Sequence, residues 1–230
     1  MTTTRRAAAI VGTSFIVAMV ASLLGGAMVE GVVAEPDYLA RAAGGPATLS
    51  TGVALELVNA LAVVLIAVAL YPIVKRNSEG LALGYVGFRI VEAAALVAAA
   101  IIPIRIVGLG RQVAAAEAVA RSDLGVVGDQ LLATRAWLAG VPVPLFFCLG
   151  AVLLYGWLIR SRMLPRFIPI WGLVGVVGIA LVNLVDVGTT TTAMILALPI
   201  ILNELFMGGW LLFRGFSGAR SAPRAAVPTD

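Results

Sequence analysis

The stretch LGYVGFRIVEAAALVAAAIIPIRIV, residues 83–107, decides the fold of this chain. A helix needs about 20 mainly apolar residues to cross a bilayer, and this stretch is long and apolar enough. Yet it carries Arg89, Glu92 and Arg105. An ionisable side chain in hydrocarbon costs about 2.5–3.5 kcal/mol on insertion scales, so each must meet a partner, a cavity or water. The stretch therefore indicates a membrane protein that contains a polar site.

Other stretches of the chain have similar length and hydrophobicity. Hydrophobic residues make up 61% of the sequence and charged residues only 12%, whereas a soluble domain is about half apolar and about a quarter charged. We predict an all-α, polytopic membrane helix bundle of about six transmembrane helices, formed as a single domain by residues 1–216. The remaining residues, 217–230, are basic, and we expect a disordered cytoplasmic tail. The predicted helices are residues 7–31, 52–74, 83–107, 134–159, 167–187 and 193–213.

Basic residues are distributed unevenly between the two sides of this predicted bundle. If the N-terminus is cytoplasmic, the outside segments hold only Arg41, Arg111 and Arg121, with Arg135 at the outer edge of the fourth helix. The positive-inside rule then predicts that both termini are cytoplasmic. The inside segments hold Arg5, Arg6, Lys75, Arg76, Arg160, Arg162, Arg166, Arg214, Arg220 and Arg224.

The segments between the helices differ in length. Residues 32–51 and 108–133 are predicted as long outer connections, and the second of them is expected to begin as an extension of the third helix to about Ser122. Residues 77–80 and 160–166 are predicted as short inner links. Small residues at Ala18, Ser22 and Gly26, and at Gly172, Gly175 and Gly178, predict close approach between helices.

Polar residues of the predicted helices cluster in depth. At 1.5 Å per residue, they fall between the middle and the outer surface of the bilayer, with Arg89 and Glu92 slightly inward of the midplane. Residues three apart share a helix face. The pattern predicts an outward-opening polar pocket. Arg105 lies at the right depth to meet Glu56, Asp186 or Glu30, but it is near the interface, and we favour a side chain that extends to the interface alone. The candidate pocket residues are Glu56, Asn59, Arg89, Glu92, Asn183, Asp186, Asn203 and Glu204.

Several kinds of chemistry lack their usual residues. The chain has no histidine and one cysteine, which removes the commonest general base and metal ligand and leaves no intramolecular disulfide. No catalytic motif is found, so we predict no metal and no cofactor, and whether the protein is an enzyme stays open, with the balance against it. The modest net charge of +4 implies no nucleic-acid partner. The lipid bilayer is the predicted surrounding, and the oligomeric state is open.

Three functions remain. The first is transport or sensing of a small solute, with or without proton coupling, in which Glu92 or Glu204 titrates and Arg89 holds a carboxylate or an anionic ligand. The second is a non-catalytic scaffold or partner subunit in which the same residues hold helices together. The third, a membrane-embedded enzyme, is least favoured because no nucleophile–base or metal set is visible.

An ordered set of short segments carries a family resemblance. The segments are GFRIVE at 87–92, SRMLPR at 161–166 followed by Trp171 and Gly172, NLVD at 183–186, Glu204, GWL at 209–211, and Gly215 with Phe216. In this order they resemble the bacterial "domain of unknown function 4386" family of integral membrane proteins, from the first helix to about Phe216. The resemblance implies a multi-pass helical fold in a bacterial inner (cytoplasmic) membrane and no assigned activity.

Overall fold

The computed structural model describes residues 3–184 and 190–217, and this part of the chain is built of α-helices. The helices are α1 (Thr3–Val33), α2 (Tyr38–Gly44), α3 (Pro46–Val74), α4 (Glu79–Ala115), α5 (Ala118–Gly140), α6 (Pro142–Ser161), α7 (Phe167–Leu184) and α8 (Thr190–Phe213).

Local sequence signals set several helix ends. Ser78 caps the start of α4, where its hydroxyl accepts a hydrogen bond from the backbone nitrogen of Leu81 at 3.2 Å, which satisfies one of the free donors of a first turn. Pro46 and Pro142 stand at the start of α3 and α6, where a missing N–H costs nothing. Arg162 ends α6 with a left-handed backbone, φ 53°. These signals mark the starts of α3, α4 and α6 and the end of α6.

Six long helices form a closed ring in chain order. α1 packs against α3, α3 against α4, α4 against α6, α6 against α7 and α7 against α8, and α8 returns to α1. At the closing contact, Arg5 Nη2 donates to the carbonyl oxygen of Leu212 at 2.8 Å. A Cβ added at Gly12 would lie 2.6 Å from the carbonyl oxygen of Gly208, so the two backbones touch there. The ring encloses the space in which a site can form.

Glycines on α7 let it approach both of its neighbours. A Cβ at Gly172 would meet the ring of Tyr155 on α6, and one at Gly178 would meet the carbonyl oxygen of Leu196 on α8. The predicted stripe on α1 is only partly of this kind, because a Cβ at Gly26 would have no described atom within 4 Å. Gly25 makes the close contact instead, against the backbone of Gly52.

The short helix α2 covers one end of the ring, which we call the α2 end. A Cβ at Gly110 of α4 would meet the carbonyl oxygen of Leu39, so α2 lies directly on α4. The hydroxyl of Tyr38 donates to Asp129 Oδ1 of α5 at 2.9 Å. Burial first, and then the hydrogen bond to Asp129 and its charge, raise the pKa of Tyr38 to about 12, so the phenol keeps its proton and the bond.

The outer surface of the ring is apolar. Large hydrophobic side chains such as Leu61, Ile101 and Val174 are exposed, the first of them by 72%, as expected where lipid replaces water. By length and composition the helical stretches that can cross a membrane are Arg5–Val33, Pro46–Val74, Glu79–Ala115, Ala118–Ser161 and Thr191–Phe213. The apolar helix Phe167–Asn183 is shorter. The predicted all-α membrane helix bundle is confirmed.

Some predicted boundaries are wrong. Residues 134–159 are not one helix, because the chain breaks at Val141 (φ −121°, ψ −72°) between α5 and α6, just before Pro142. The two predicted outer connections are largely helical. In residues 32–51, α1 continues to Val33, α2 spans Tyr38–Gly44 and α3 begins at Pro46. In residues 108–133, α4 continues to Ala115 and α5 begins at Ala118. Alanine-rich sequence favours helix without needing membrane-like hydrophobicity. The end of the predicted fifth helix, 185–187, lies outside the described residues, as does the tail from residue 218.

Candidate functional site

A cavity of about 340 Å³ lies inside the ring, and we call it the central cavity. Its described wall includes side chains from each of the six ring helices and from the end of α5, and most of them are apolar. Binding sites for small molecules have this character, with a few polar groups in an apolar wall and volumes of about 300–1,000 Å³. The polar residues of the described wall are Ser22, Asn59, Arg89, Glu92, Asn183 and Glu204.

Arg89 and Glu92 form an ion pair in this wall. Arg89 Nη1 donates to Glu92 Oε2 at 2.8 Å, and both side chains are only 5% exposed. The three-residue spacing places both groups on one face of α4. Phe147 of α6 lies against the guanidinium, with 5.6 Å from Arg89 Cζ to the ring centroid. Gly150 leaves room for this side chain, because an added Cβ would lie 3.2 Å from Arg89 Cδ.

Glu204 brings a second carboxyl group to the same wall from α8. Among the described residues no side chain or backbone group makes a hydrogen bond or salt bridge with it. A smaller cavity of about 10 Å³ adjoins the central cavity, and both are lined by Phe15, Arg89, Phe147 and Glu204. Its volume corresponds to about one water molecule.

The small cavity also contains polar atoms without partners. Tyr85 Oη and Arg89 Nε are buried, and neither makes a hydrogen bond within the described part of the chain. Tyr85 is only 2% exposed. Buried donors and acceptors normally find partners, so orphaned atoms around a water-sized space indicate that a polar molecule completes the arrangement. Tyr85 was not among the predicted residues; its position one turn before Arg89 on the same face was the signal that could have found it.

Asn59 and Asn183 face the central cavity from α3 and α7. Asn183 Nδ2 donates to the carbonyl oxygen of Ile179 in its own helix at 2.8 Å, and no donor from the described part of the chain bonds its Oδ1. The structure thus brings five predicted residues to one cavity, namely Asn59, Arg89, Glu92, Asn183 and Glu204.

Glu56 lies outside the cavity wall, one helical turn from Asn59 on the side of the α2 end. Arg135 of α5 holds it, with Nη2 2.5 Å from Oε1 and Nη1 3.1 Å from Oε2. Arg135 Nη1 also donates to the carbonyl oxygen of Ala99 at 2.9 Å. That carbonyl needs a donor because the residue four positions later is Pro103, which has no N–H.

Arg105 does not meet Glu56, because Arg135 bonds Glu56 instead. The side chain of Arg105 is exposed, which fits the favoured interpretation that it extends to the interface. Both arginines have a suitable depth, and helix rotation decides between them. Pro103, four residues after Ala99, was the sequence signal for an external donor at this level.

Asn203 also lies apart from the central cavity. It is fully buried, its Nδ2 donates to the carbonyl oxygen of Ile168 at 2.7 Å, and its Oδ1 accepts from the hydroxyl of Tyr155 at 2.9 Å. These bonds tie α8 to α6 and α7, which is a structural task. Asp186, the last of the predicted pocket residues, lies outside the described residues.

The chemistry of the described wall favours binding. Its charged groups are one guanidinium and two carboxyl groups, and three amide or hydroxyl side chains accompany them. Within residues 3–184 and 190–217, no group of three or more side chains with metal-binding character is found. A polar ligand could therefore be held by charge and hydrogen bonds, with its apolar parts against the wall.

Comparison with known proteins gives one family. The model of the family described as "Domain of unknown function (DUF4386)" matches residues 10–215. No curated protein and no solved structure matches the chain. The matched range covers the ring of helices except the first residues of α1, and it includes every described residue of the central cavity wall, so the cavity lies in the part of the chain that defines the family.

Proposed function

The chain belongs to the DUF4386 family of domains without an assigned activity, and from its central cavity we propose that it binds a small solute within the membrane, for transport or for sensing. The observation that carries this proposal is the cavity of about 340 Å³ with three charged side chains in its wall. A bundle that needed only to hold together would fill this space with side chains, since protein interiors are close-packed.

The arrangement of charge supports binding further. The Arg89–Glu92 pair borders the cavity instead of bridging two helices, because both residues belong to α4. An ion pair within one helix does little to fix the packing of that helix on others. Placing it at a cavity is costly unless the charges meet water or a ligand there.

From the uneven distribution of basic residues in the sequence we propose how the protein is oriented in the membrane. Both termini lie in the cytoplasm, the α2 end faces outward, and the membrane is a bacterial inner membrane. The cavity then opens outward, on the side of Asn59 and Asn183. Proton coupling is part of this proposal, because a carboxyl group such as Glu204 in an apolar wall can change its protonation when a ligand arrives.

A second candidate function is a membrane scaffold. Two contacts favour it: Arg135 bonds Glu56 and the carbonyl of Ala99, and Asn203 joins Tyr155 to Ile168. Each ties different helices together and lies outside the wall of the central cavity. These contacts account for Glu56 and Asn203, but they leave the central cavity and Glu204 without a role.

Cysteine accessibility tests the proposal. In a protein with Cys148 replaced by alanine, Asn59→Cys and Asn183→Cys place a thiol in the cavity wall. We expect both to react with a membrane-impermeant maleimide added from outside, because a solute-binding cavity holds water. The matched control is Leu61→Cys, two residues from Asn59 on the exposed apolar face of α3, which lipid should protect.

The result separates the two functions. Reaction at Asn59 and Asn183 without reaction at Leu61 supports a solute site that is reachable from outside. Protection of both cavity positions in folded variants would favour the scaffold. Reaction only with a reagent added from the cytoplasmic side would keep the cavity but reverse its proposed opening.

A further inference from the structure

When both of its carboxyl groups are ionised, the charge of the central cavity is unbalanced. Arg89 is engaged with Glu92, and Glu204 adds a second carboxyl group for which the described residues supply no hydrogen-bond donor. One guanidinium therefore faces two carboxyl groups. A ligand with a positive charge would restore the balance, whereas an anion would meet the excess negative charge.

The acceptors at this point suit a group that donates several hydrogen bonds. Tyr85 Oη has no partner among the described residues and lies with Glu204 around the small cavity of about 10 Å³. Because the nitrogen of a primary ammonium is about the size of a water oxygen and carries three donors, it can sit at this cavity and donate to both groups.

The remainder of the cavity suits an apolar body. Phe15 and Phe147 line both cavities, and aliphatic side chains form most of the remaining wall. Aromatic faces attract cations as well as apolar groups. The volume of about 340 Å³ exceeds what a single ion needs, so the ligand has a body behind its charged head.

We propose that the central cavity takes a small organic cation, a primary amine on a compact apolar body, with its ammonium at Glu204 and Tyr85 and its body against Phe15 and Phe147. This rests on the proposed function and specifies its ligand class. The ammonium can belong to a free amine or to the headgroup of phosphatidylethanolamine, which carries the same group.

Three probes with one apolar body test the charge preference. They are cyclohexylmethylamine, which is protonated at neutral pH, cyclohexylmethanol and cyclohexanecarboxylate. Binding is measured by calorimetry on the protein in phosphatidylglycerol nanodiscs, with empty nanodiscs as the blank. We expect the amine to bind most tightly and the carboxylate most weakly, because only the amine complements Glu204.

Variants then locate the charge. Glu204→Gln should weaken the amine by about tenfold or more, since it removes a charge-assisted hydrogen bond, and should affect the alcohol less, because the amide oxygen still accepts from a hydroxyl. Tyr85→Phe, which keeps the ring, should weaken the amine by about threefold to tenfold. Glu30→Gln is the matched control, because Glu30 is 62% exposed and outside the cavity wall. It should bind all three probes as the unaltered protein does.

Each outcome decides something. Equal binding of amine and alcohol, or tighter binding of the carboxylate, overturns the cation assignment. The solute site itself still stands in that case if cysteines at Asn59 and Asn183 react with the impermeant maleimide added from outside. If Glu30→Gln loses the preference for the amine as strongly as Glu204→Gln does, the preference arises outside the cavity. That result also overturns the cation assignment. If phosphatidylethanolamine nanodiscs abolish amine binding, the lipid headgroup is the source of the ammonium; if they do not, the ligand is free.

Discussion

Arg89 is the residue on which the polar interior depends. Its guanidinium bonds Glu92, packs on Phe147 and also borders Glu204 through the small cavity. Breaking a buried ion pair by removing one partner is much more costly than replacing both partners by apolar residues, because an uncompensated charge remains. The energetic role of Arg89 therefore depends on Glu92.

We expect Arg89→Ala to lower the free energy of unfolding by about 3–5 kcal/mol. Glu92→Gln should cost less, because the amide oxygen still accepts from Arg89. The double variant Arg89→Met with Glu92→Leu should cost less than Arg89→Ala alone, as the pair is then replaced as a unit. Unfolding in detergent measures all three, and Arg160→Ala on the exposed end of α6 is the control, with an expected change within about 0.5 kcal/mol. Equal effects of Arg89→Ala and Arg160→Ala would contradict a buried pair.

Arg135 shows what sequence spacing does not reveal. The Arg89–Glu92 contact follows from residues three apart on one helix, so its geometry is local. The Arg135–Glu56 contact joins two residues that are 79 positions apart in the chain and lie on different helices. Depth along the membrane normal can be counted from the sequence, but the rotation of each helix about its axis depends on packing against its neighbours. For this reason Arg105, at a similar depth, could be mistaken for the partner.

Arg135→Ala should lower the free energy of unfolding by about 2–5 kcal/mol, because it leaves Glu56 and the carbonyl of Ala99 without their donor. Arg105→Ala is the matched control, since Arg105 is exposed on the same membrane level; its expected change is within about 0.5 kcal/mol. Chemical unfolding of the two variants in parallel checks this. A larger effect at Arg105 would mean that the partner of Glu56 is assigned incorrectly.

At the scale of elements, the glycine face of α7 sets how closely the ring closes. Gly175 and Gly178 touch the backbone of α8, and Gly172 lies under Tyr155 of α6. The three-residue repeat in the sequence predicted close packing, and the structure identifies both neighbours. The repeat on α1 was less informative, because Gly25, and not Gly26, faces α3. Small residues reveal that close approach is possible, whereas the side of the helix on which it occurs depends on its partner.

Gly178→Ala should push α8 away from α7 and lower the free energy of unfolding by about 1–3 kcal/mol, because the new Cβ overlaps the carbonyl of Leu196. Gly87→Ala on α4 is the control, as its Cβ would meet no described atom within 4 Å. That substitution should be neutral or stabilise by about 0.5–1 kcal/mol through helix propensity. Thermal unfolding compares the two, and equal effects would show that α7 and α8 are not in close contact at Gly178.

Helix ends were predicted less well than helix cores. Hydrophobicity marks only the part of a helix that meets lipid, so α1, α3 and α4 extend beyond their predicted spans. Val141 breaks the chain between α5 and α6 because Pro142 and Pro144 follow it. Those prolines were visible in the sequence, but a proline in a membrane helix can either bend or interrupt it, and only the surrounding packing decides which.

At the scale of the whole molecule, the ring explains why polar residues from distant parts of the chain meet. Because consecutive ring helices are neighbours and α8 returns to α1, residues at a similar depth converge on one central space. Depth along the helices, counted from the sequence alone, therefore predicts five of the six polar side chains of the described cavity wall. It does not separate Glu56 and Asn203, which have suitable depths but turn toward other helices.

The orientation of the ring is a separate prediction. If the α2 end faces outward as proposed, cysteines placed at Arg41 and Arg121 should react with an impermeant maleimide in intact cells. Cysteines at Arg76 and Arg160 should react only after the membrane is permeabilised. The Cys148→Ala background serves as the blank. The opposite pattern would invert the protein in the membrane and with it the proposed opening of the cavity.

A crystal structure in a lipid phase that resolves ordered solvent inside the ring would test the polar central cavity most directly. We predict waters or a bound polar molecule in the central cavity, in contact with Glu204 and Asn183, and one further polar atom between Arg89 Nε and Tyr85 Oη. A cavity filled by lipid acyl chains, or a ring collapsed so that apolar side chains cover Glu204, would contradict this prediction.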